Sequence, residues 1–239
     1  MKSILVDVFR GNAERQHFES VHQIDAVIAD ASGAIVETWG EGQRGVFPRS
    51  AIKALQAIAL VESGAADAYG FQPKHLALAC SSHNGEAFQT QAAQEMLHAA
   101  GLDATCLECG KQHPFHQRDI EILLQKGEAV GAIHNNCSGK HSGFLAFAQY
   151  QGFEPKGYVQ FGHKVQQEIA GILESLTGAK HGKDNFGIDG CSIPTFNIPL
   201  DKLAIAYARF SVGQAEGKER REAMNRLRNA CMDHPEMVA

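Results

Sequence analysis

The sequence predicts a mixed α/β (α+β) fold, and two observations support this prediction. Near the N-terminus, the apolar runs Ile24–Asp30 and Ala34–Trp39 flank a turn signal at Ala31–Gly33, which is typical of a β-hairpin. From Arg49 onward, apolar residues recur at helical spacing, with glycines where helices should stop. Strands and helices are therefore mixed along one chain, as they are in α/β and α+β domains.

The individual elements follow in chain order. Residues 1–7 resemble a first strand, and Arg49–Ser63 is the clearest helix, with Gly64 as its stop. The short apolar run Leu76–Cys80 is interpreted as a buried strand. Further helices are predicted at 87–100, 116–126, 140–150, 163–177, 200–211 and 218–232.

Composition limits the class of protein. The chain has 239 residues and a formal net charge of −5, so we expect a single domain over 1–239 and no nucleic-acid or membrane partner. No apolar run is long enough to span a bilayer, and the N-terminus lacks the features of a secretion signal. The six cysteines are therefore expected to be reduced thiols or metal ligands in a cytoplasmic protein.

Ser50 and Lys53 lie three residues apart at the start of the clearest helix, which places them on one helix face. A serine needs an adjacent base to act as a nucleophile, and lysine serves as that base only when its pKa falls towards neutrality. Burial or a nearby cation, such as Arg49 or a metal, produces that fall. Arg49 could also grip a carboxylate with two parallel hydrogen bonds. The alternative is an ordinary amphipathic helix with a capping serine and a solvated lysine.

The segment Ser82–Glu86 is a second candidate motif, because it follows a predicted strand and precedes a helix. Strand-to-helix turns present side chains and free backbone N–H groups, so Ser82 is a candidate second nucleophile or oxyanion donor. An N-capping serine beside a turn at Gly85 explains the same residues equally well.

The segment His134–Gly143 is dense in polar and small residues between two apolar stretches. We expect it to be a functional loop rather than part of the core. Its portion Gly139–Ser142 faintly resembles a phosphate-binding loop. The upstream glycine of such a loop is missing, so nucleotide binding is rejected.

Acidic and sulfur-containing side chains form the remaining candidates. Asp189 lies between two glycines and is expected in a tight exposed turn, where it could bind a substrate ammonium. Cys137 and Cys191 could share a soft metal such as zinc, or both could be buried thiols. Cys106 and Cys109 form a single CxxC, which indicates half of a zinc site, a redox pair or an incidental pair.

Together these motifs resemble the Rhizobium-type L-asparaginases, the asparaginase II family of thermolabile, zinc-binding enzymes. The match preserves the order and spacing of six motifs, and six motifs in register are highly specific. They are Arg-Ser-Ala-x-Lys at 49–53, Cys-x-Ser-His-x-x-Glu at 80–86, Cys-Gly followed by His-Pro at 109–114, Asn-Cys-Ser-Gly-Lys-His at 136–141, Asp-Gly-Cys-x-x-Pro at 189–194 and His-Pro-Glu at 234–236.

The resemblance implies a role for each matching residue and a reaction. The implied site residues are Ser50, Lys53 and Ser82 for catalysis, Arg49, His83, Glu86 and Asp189 for substrate binding, and Cys137, Lys140 and Cys191 as ligands of zinc. The implied reaction is hydrolysis of L-asparagine to L-aspartate and ammonia. The resemblance also implies a homodimer, with a fold similar to that of serine β-lactamases and serine-lysine glutaminases.

Two departures from the family pattern matter. The opening Arg-Gly and Glu-Ser-x-His motifs are present, but extra residues separate Gly11 from Glu19. The family also continues beyond His-Pro-Glu at 234–236, and the lysine of its second tandem lies in that continuation. The resemblance therefore implies that this chain lacks the C-terminal third of such an enzyme.

The expected mechanism begins when Ser50 attacks the side-chain amide carbon of asparagine, with neutral Lys53 as base and backbone N–H groups holding the oxyanion. Two serines in one site leave open which one is acylated, and Ser50 ranks ahead of Ser82. Three alternatives remain: a hydrolase of glutamine or another amide, a non-catalytic zinc-binding fragment, and a redox protein built on Cys106 and Cys109. The ratio of kcat/KM on asparagine to kcat/KM on glutamine distinguishes an asparaginase from the first alternative. Stoichiometric zinc without turnover indicates the second.

Overall fold

The fold combines α-helices with small antiparallel sheets, which confirms the mixed α/β class. The computed structural model describes residues 4–12 and 14–238 of the chain. Within those residues each sheet has two strands. The helices therefore supply most of the surfaces that build the core.

The chain opens with a long hairpin. Strand β1 spans Ile4–Asn12 and pairs antiparallel with strand β2 at Arg15–Ile24, with a β-bulge next to Val8. Most of its side chains are exposed. The strand predicted at residues 1–7 is confirmed from Ile4 onward, and residues 1–3 lie outside the described part of the chain.

Shorter sheets follow. Strand β3 at Ala26–Ala29 pairs with strand β4 at Ile35–Trp39, which confirms the hairpin predicted around Ala31–Gly33. The other antiparallel pairs join strand β5 at Gly45–Val46 to strand β8 at Ile198–Pro199, and strand β6 at Phe186–Ile188 to strand β7 at Pro194–Phe196. The β5–β8 pair holds the segment that leads into Arg49 beside the segment that follows Asp189.

The helices predicted at 87–100, 116–126, 140–150, 163–177, 200–211 and 218–232 are confirmed within one or two residues at either end. Gly178 and Gly213 end two of them with φ angles of 70° and 66°, a left-handed conformation that glycine adopts without steric cost. The α-helices are α1 Lys53–Gln56, α2 Ile58–Glu62, α3 Ala65–Ala68, α4 Pro73–Ala79, α5 Ala87–Ala99, α6 Gln117–Lys126, α7 Ser138–Tyr150, α8 Lys164–Thr177, α9 Leu200–Val212, α10 Lys218–Asp233 and α11 Pro235–Val238.

The clearest predicted helix, Arg49–Ser63, is broken rather than continuous. It starts as a 3-10 turn over Arg49–Ile52 and continues as the short helices α1 and α2. Ile52, at the first break, has φ −99° and ψ 9°, which lies outside the α-helical region. The breaks turn Lys53 into the core while Ser50 stays exposed.

The strand predicted at Leu76–Cys80 is wrong, because this run belongs to helix α4 and its C-terminal cap. A short apolar run does not by itself distinguish a buried strand from a buried helix. Two upstream signals favour the helix: Pro73 occupies the first helical turn, and Nδ1 of His75 accepts the backbone N–H of Gln72 at 3.0 Å.

The polar loop predicted over His134–Gly143 is also wrong for its second half. Ser138 begins helix α7, and every residue from 138 to 148 is buried. The helix packs against α4 and α5 in the core. Other elements supply hydrogen-bond partners for Ser138, Lys140 and Nδ1 of His141, and these bonds offset much of the cost of burying polar groups.

Within residues 4–12 and 14–238, no helix is both long and apolar enough to cross a bilayer.

Candidate functional site

Two strained backbone positions flank one cleft of the molecule. Arg49 has φ 48° and Ser192 has φ 74°, and they are the only non-glycine residues with positive φ in the described ranges 4–12 and 14–238. Such conformations cost free energy and persist mainly where the surrounding structure enforces them, often at functional sites. Arg49 directly precedes Ser50 and Ser192 directly follows Cys191, so the strain lies beside the predicted site residues.

A cavity of about 200 Å³ lies between these two positions. It is lined by Arg49, Ser50, Gln112, Asn135, Asn136, Cys137, Asp189, Gly190 and Cys191. The lining joins residues from four distant segments of the sequence. The volume is below that of typical drug-sized pockets and therefore suits a small polar ligand.

Lys53 is the base candidate, and its amine is buried beside Ser82. The side chain is 1% exposed. Nζ lies 2.6 Å from Oγ of Ser82, 2.6 Å from the carbonyl oxygen of Ser81 and 3.5 Å from the carbonyl oxygen of Asn136. Cys137 also interacts with this amine, whereas no hydrogen bond joins Lys53 to Ser50 in the described part of the chain. The structure thus brings Lys53 to the second predicted serine, and its pairing with Ser50 stays a prediction.

The surroundings of Lys53 favour its neutral form. Burial lowers the pKa of this amine, and the nearby charge of Lys140 lowers it further. The thiolate of Cys137 opposes both effects without cancelling them. A lysine with a lowered pKa is the form that general-base catalysis requires.

Arg49 and Asp189 form an ion pair at the rim of the cavity. Nε of Arg49 donates to Oδ1 of Asp189 at 2.8 Å, and the backbone N–H of Gly190 donates to the same oxygen at 2.8 Å. The turn at Asp189 is tight, as predicted, because its carbonyl accepts the N–H of Ser192 at 2.9 Å. The turn is exposed at Ile188 and Gly190, as predicted, whereas the side chain of Asp189 is only 8% exposed. The guanidinium covers it.

The charge of Asp189 is stabilised by these contacts. Burial raises the pKa of its carboxyl, but the hydrogen bonds from Arg49 and Gly190 and the charge of Lys140 outweigh burial, so the net shift is downward. The pair therefore offers one guanidinium and one carboxylate side by side. That arrangement complements a ligand carrying both a carboxylate and an ammonium.

A second cluster combines two sulfur atoms with an amine. Cys137, Lys140 and Cys191 are 4%, 2% and 3% exposed, and Nζ of Lys140 lies 3.1 Å from Sγ of Cys191. A hydrogen bond from the Cys191 thiol lowers the pKa of Cys137 to about 5, with help from Lys140 and Lys53. The same contact raises the pKa of Cys191 to about 11. The pair thus holds one thiolate and one thiol at neutral pH.

The donor set fits a soft cation only if the lysine takes part. Within residues 4–12 and 14–238, no three His, Cys, Asp or Glu side chains converge on one metal position. Two sulfurs and the Nζ of Lys140 do converge, and His141 also interacts with Cys191. Nε2 of His141 is buried without a hydrogen-bond partner in the described residues. Sulfur and nitrogen donors are those that zinc prefers.

His83 and Glu86 lie around the Ser82 turn rather than on the cavity wall. Nε2 of His83 lies 2.9 Å from Oγ of Ser138, and its Nδ1 accepts the N–H of Gly85 at 3.1 Å. Burial and the nearby charge of Lys53 lower the pKa of His83 to about 3, so it is neutral. Glu86 precedes helix α5 and faces His116 at 4.0 Å. Nδ1 of His83 thus supports the turn that follows Ser82, and Glu86 caps helix α5, while their roles in substrate binding stay predictions.

Sequence reasoning missed three amide side chains in the site: Gln112, Asn135 and Asn136. Oε1 of Gln112 accepts the backbone N–H of Asn136 at 3.3 Å. Nδ2 of Asn135 donates to the carbonyls of Cys109 and Gly110 at 3.0 and 3.2 Å. These bonds tie the segment after the CxxC to the segment before α7. The only sequence signal was the presence of these amides inside polar loop motifs.

The CxxC combines a partly buried thiol, Cys106, with a buried one, Cys109. Cys106 and Cys109 are both free thiols, and burial raises the pKa of Cys109 to about 12. A thiol that stays protonated is a poor nucleophile. Its Sγ donates to the carbonyl of Ala132 at 3.5 Å, which indicates a structural role.

Comparison with known families and proteins completes the description of the site. The family model of L-asparaginase II matches residues 6–239. A search of curated proteins gives no match. The matched range contains every residue of the cavity and of the sulfur–amine cluster.

Proposed function

This chain belongs to the L-asparaginase II family, and we propose that it is an L-asparagine amidohydrolase that releases L-aspartate and ammonia through a serine nucleophile. The observation that carries the proposal is the buried Lys53 amine, which is hydrogen-bonded to Ser82 at 2.6 Å and to the carbonyl of Asn136, a residue that lines the cavity together with Ser50. A desolvated amine next to a serine hydroxyl is the arrangement that nucleophilic catalysis needs.

In the proposed first step, Oγ of Ser50 attacks the side-chain amide carbon of asparagine. Lys53 accepts the proton, and Ser82 is proposed to relay it because Ser82 is the hydroxyl bonded to Nζ of Lys53. Proton transfer to the leaving nitrogen releases ammonia and leaves an aspartyl ester on Ser50. A water molecule, deprotonated by the same lysine, then hydrolyses that ester.

The ion pair at the rim is proposed to recognise the α-groups of the substrate. Nε of Arg49 is occupied by Asp189, which leaves the terminal nitrogens of the guanidinium for the α-carboxylate. The carboxylate of Asp189 would accept the α-ammonium. Gln112 lines the same cavity and is a candidate hydrogen-bond donor to the substrate.

Zinc is the proposed cofactor, held by Cys137, Lys140 and Cys191. When bound, it would order the segments that carry these ligands and hold Lys140 as a neutral amine, since an amine must be deprotonated to coordinate. The support for this proposal is the buried pair of sulfurs with an amine 3.1 Å from one of them. The narrower assignment to the Rhizobium-type, zinc-binding members of the family, and to their homodimeric state, belongs to the same proposal.

The test is ammonia release from L-asparagine and L-glutamine by the purified protein with and without added zinc. Ser50→Ala should abolish release, and Ser82→Ala should reduce it by at least the 10²-fold typical of a lost proton-transfer partner. Ser211→Ala is the matched control, because this exposed serine donates only to the carbonyl of Ala208. Full activity in Ser50→Ala would refute the assignment of Ser50 as the nucleophile.

A non-catalytic zinc-binding protein is the competing result. It would bind zinc stoichiometrically and release no ammonia from either amide. Faster turnover of glutamine than of asparagine would instead keep the chemistry and change the substrate.

A further inference from the structure

A second pair of cysteine thiols, Cys80 and Cys231, lies next to the turn that carries Ser82. Cys80 caps the C-terminus of helix α4, and Cys231 lies in the last turn of helix α10. These two helices pack against each other, and each thiol is the largest influence on the pKa of the other, which places the two sulfur atoms side by side. Neither residue lines the cavity or belongs to the sulfur–amine cluster.

The Cys80–Cys231 pair is more exposed than the Cys137–Cys191 pair. Cys80 and Cys231 are both free and only partly buried, whereas Cys137 and Cys191 are buried. Met232, next to Cys231, is 64% exposed, so the end of α10 lies at the surface. A small oxidant in solution can therefore reach this pair more easily than the buried one.

Cys80 lies only two residues before Ser82, so the backbone links it to the proposed chemistry. Ser81 and Ser82 follow it immediately, and each accepts a hydrogen bond from Nζ of Lys53 at 2.6 Å. The next residue, His83, donates its backbone N–H to the carbonyl of Asn136 at 3.1 Å. A displacement of Cys80 therefore moves the bonds that hold Lys53.

Tyr207 connects the same thiols to the other serine. Its ring lies close enough to Cys80 and Cys231 to interact with both, and its hydroxyl donates to the carbonyl of Ala51, next to Ser50. The thiol pair thus sits behind both predicted serines rather than at an unrelated part of the surface.

We propose that Cys80 and Cys231 form a reversible disulfide when the protein meets a peroxide, and that this disulfide shifts Ser82 away from Lys53 and lowers activity. The covalent part of the proposal is independent of the proposed function, and the loss of activity rests on it. No disulfide is present in the structure, where both residues are free thiols.

The reaction balances with one peroxide molecule for each disulfide. The thiolate of Cys231 attacks one peroxide oxygen, which forms a sulfenic acid and releases water after protonation. The sulfur of Cys80 then attacks the sulfenic sulfur, loses its proton and expels a second water. Two thiols are oxidised by two electrons in total, and the peroxide is reduced to two waters. A thiol reductant reverses the bond by exchange.

The direction of attack follows from the contact between the two thiols. A hydrogen bond from Cys80 lowers the pKa of Cys231, while the same contact raises the pKa of Cys80. Cys231 is therefore the more readily ionised thiol of the two and the better first nucleophile.

Bond formation requires movement. A disulfide has an S–S distance of about 2.05 Å, well below the contact distance of two unbonded sulfur atoms. The two side chains must therefore rotate, or the C-terminus of α4 and the last turn of α10 must approach each other. The proposed switch includes movement of the backbone at Cys80, so the hydroxyl of Ser82, two residues further on, moves relative to Lys53, and misplacement by about 1 Å can cost about 10²-fold in rate.

The experiment treats the full 239-residue chain with hydrogen peroxide, blocks the remaining thiols and maps the disulfide by peptide mass spectrometry. Ammonia release and amide hydrogen exchange at His83 are measured on the same samples, before and after addition of reductant. The proposal expects a Cys80–Cys231 disulfide, faster exchange at His83 and a loss of activity of about 10²-fold that reductant restores. Cys231→Ser should prevent all three changes.

Cys106→Ser is the matched control, because Cys106 is another partly buried free thiol outside the pair, and it should behave as the wild type does. A disulfide mapped to Cys137 and Cys191, with Cys80 and Cys231 still blocked as thiols, overturns the assignment. An unchanged exchange rate at His83 in the disulfide form overturns the coupling to Ser82. If the reduced protein has no amidase activity, the proposed function fails, while mapping and exchange still decide this proposal.

Discussion

The burial of helices α6 and α7 is the opposite of what the polarity of their sequences suggests. Helix α6 has apolar residues at amphipathic spacing, yet none of its residues from 117 to 126 is buried, and Leu124 is 72% exposed. Helix α7 begins with Ser-Gly-Lys-His-Ser, yet it is buried from 138 to 148. Burial is therefore decided by the partners that other elements provide and not by the polarity of a segment.

The partners of α7 come from three other parts of the chain. Ser138 contacts His83 at 2.9 Å, Lys140 contacts Cys191 at 3.1 Å, and His141 contacts Tyr158 at 2.7 Å. Each bond offsets the loss of hydration that burial imposes.

Helix α6 lacks comparable surroundings. It borders a groove of about 710 Å³ that it shares with α5, so its apolar side chains meet open space rather than a packed surface. The amphipathic pattern correctly predicted the helix, because the pattern reports local geometry. It did not predict how closely the helix packs.

Removing the buried amine next to α7 should have the largest effect. Lys53→Met keeps the length and burial of the side chain but removes the proposed base, so ammonia release should fall by about 10²–10⁴-fold. Lys126→Met, at the end of α6, is the control and should retain wild-type turnover because Lys126 is exposed. Equal losses in both variants would contradict the proposed base.

Adding one methyl group inside α7 should destabilise the fold. A Cβ at Gly139 would lie 2.4 Å from Cγ and 2.7 Å from the backbone oxygen of Leu78. Gly139→Ala should therefore lower the free energy of unfolding in urea by about 1–3 kcal/mol. Gly171→Ala in α8, where a Cβ meets open space, should raise it by about 0.5–1 kcal/mol through helix propensity. A stabilised Gly139→Ala protein would show that the contact with Leu78 relaxes freely.

The buried histidine that supports α7 should make stability depend on pH. His83 has an ordinary pKa of 6.5 and a folded pKa of about 3, because burial disfavours its charged form. The unfolded chain thus binds more protons between these values, and the free energy of unfolding should fall as pH drops from 6.5 towards 3.

His83→Gln should flatten that decline, measured by urea unfolding across the same pH range. His116→Gln, at the start of α6, is the control and should keep the wild-type slope, because the His116 side chain is 50% exposed. A decline that is equally steep in His83→Gln would assign the pH dependence to other groups.

Gln112 should have a smaller effect that is specific to the substrate. Its carbonyl oxygen is held by the N–H of Asn136, so its amide nitrogen remains available on the cavity wall. Gln112→Ala should lower kcat/KM on asparagine by roughly 3–10-fold, the effect of about 0.5–1.5 kcal/mol from one neutral hydrogen bond. The exposed residue Gln117 of α6 gives the matched control, since Gln117→Ala should change neither kcat nor KM.

The smallest effect is expected on the exposed face of α6. Leu124→Gln replaces a side chain that is 72% exposed, so the free energy of unfolding should change by less than about 0.5 kcal/mol. Leu145→Ala in α7, where Leu145 is fully buried, should cost about 2–5 kcal/mol in the same urea titration. A large loss in Leu124→Gln would mean that α6 is packed in solution.

The sequence by itself determined the local features of this protein. The spacing of apolar residues and the stop signals placed the helices from α5 to α10, and the turn at Ala31–Gly33 placed the β3–β4 hairpin. Six ordered motifs also predicted the family that the family model matches over residues 6–239. Helix periodicity, turn preference and motif spacing depend on residues close together in the chain, so they can be derived without a fold.

Only the tertiary structure decided which groups meet. The bond from Lys53 to Ser82, the ion pair of Arg49 with Asp189 and the contact of Cys80 with Cys231 join residues 29, 140 and 151 positions apart. No local pattern records such contacts, because they depend on how separate helices and turns pack. The same packing buried the polar start of α7 and bent the segment after Arg49, and it therefore determined the chemistry available at the site.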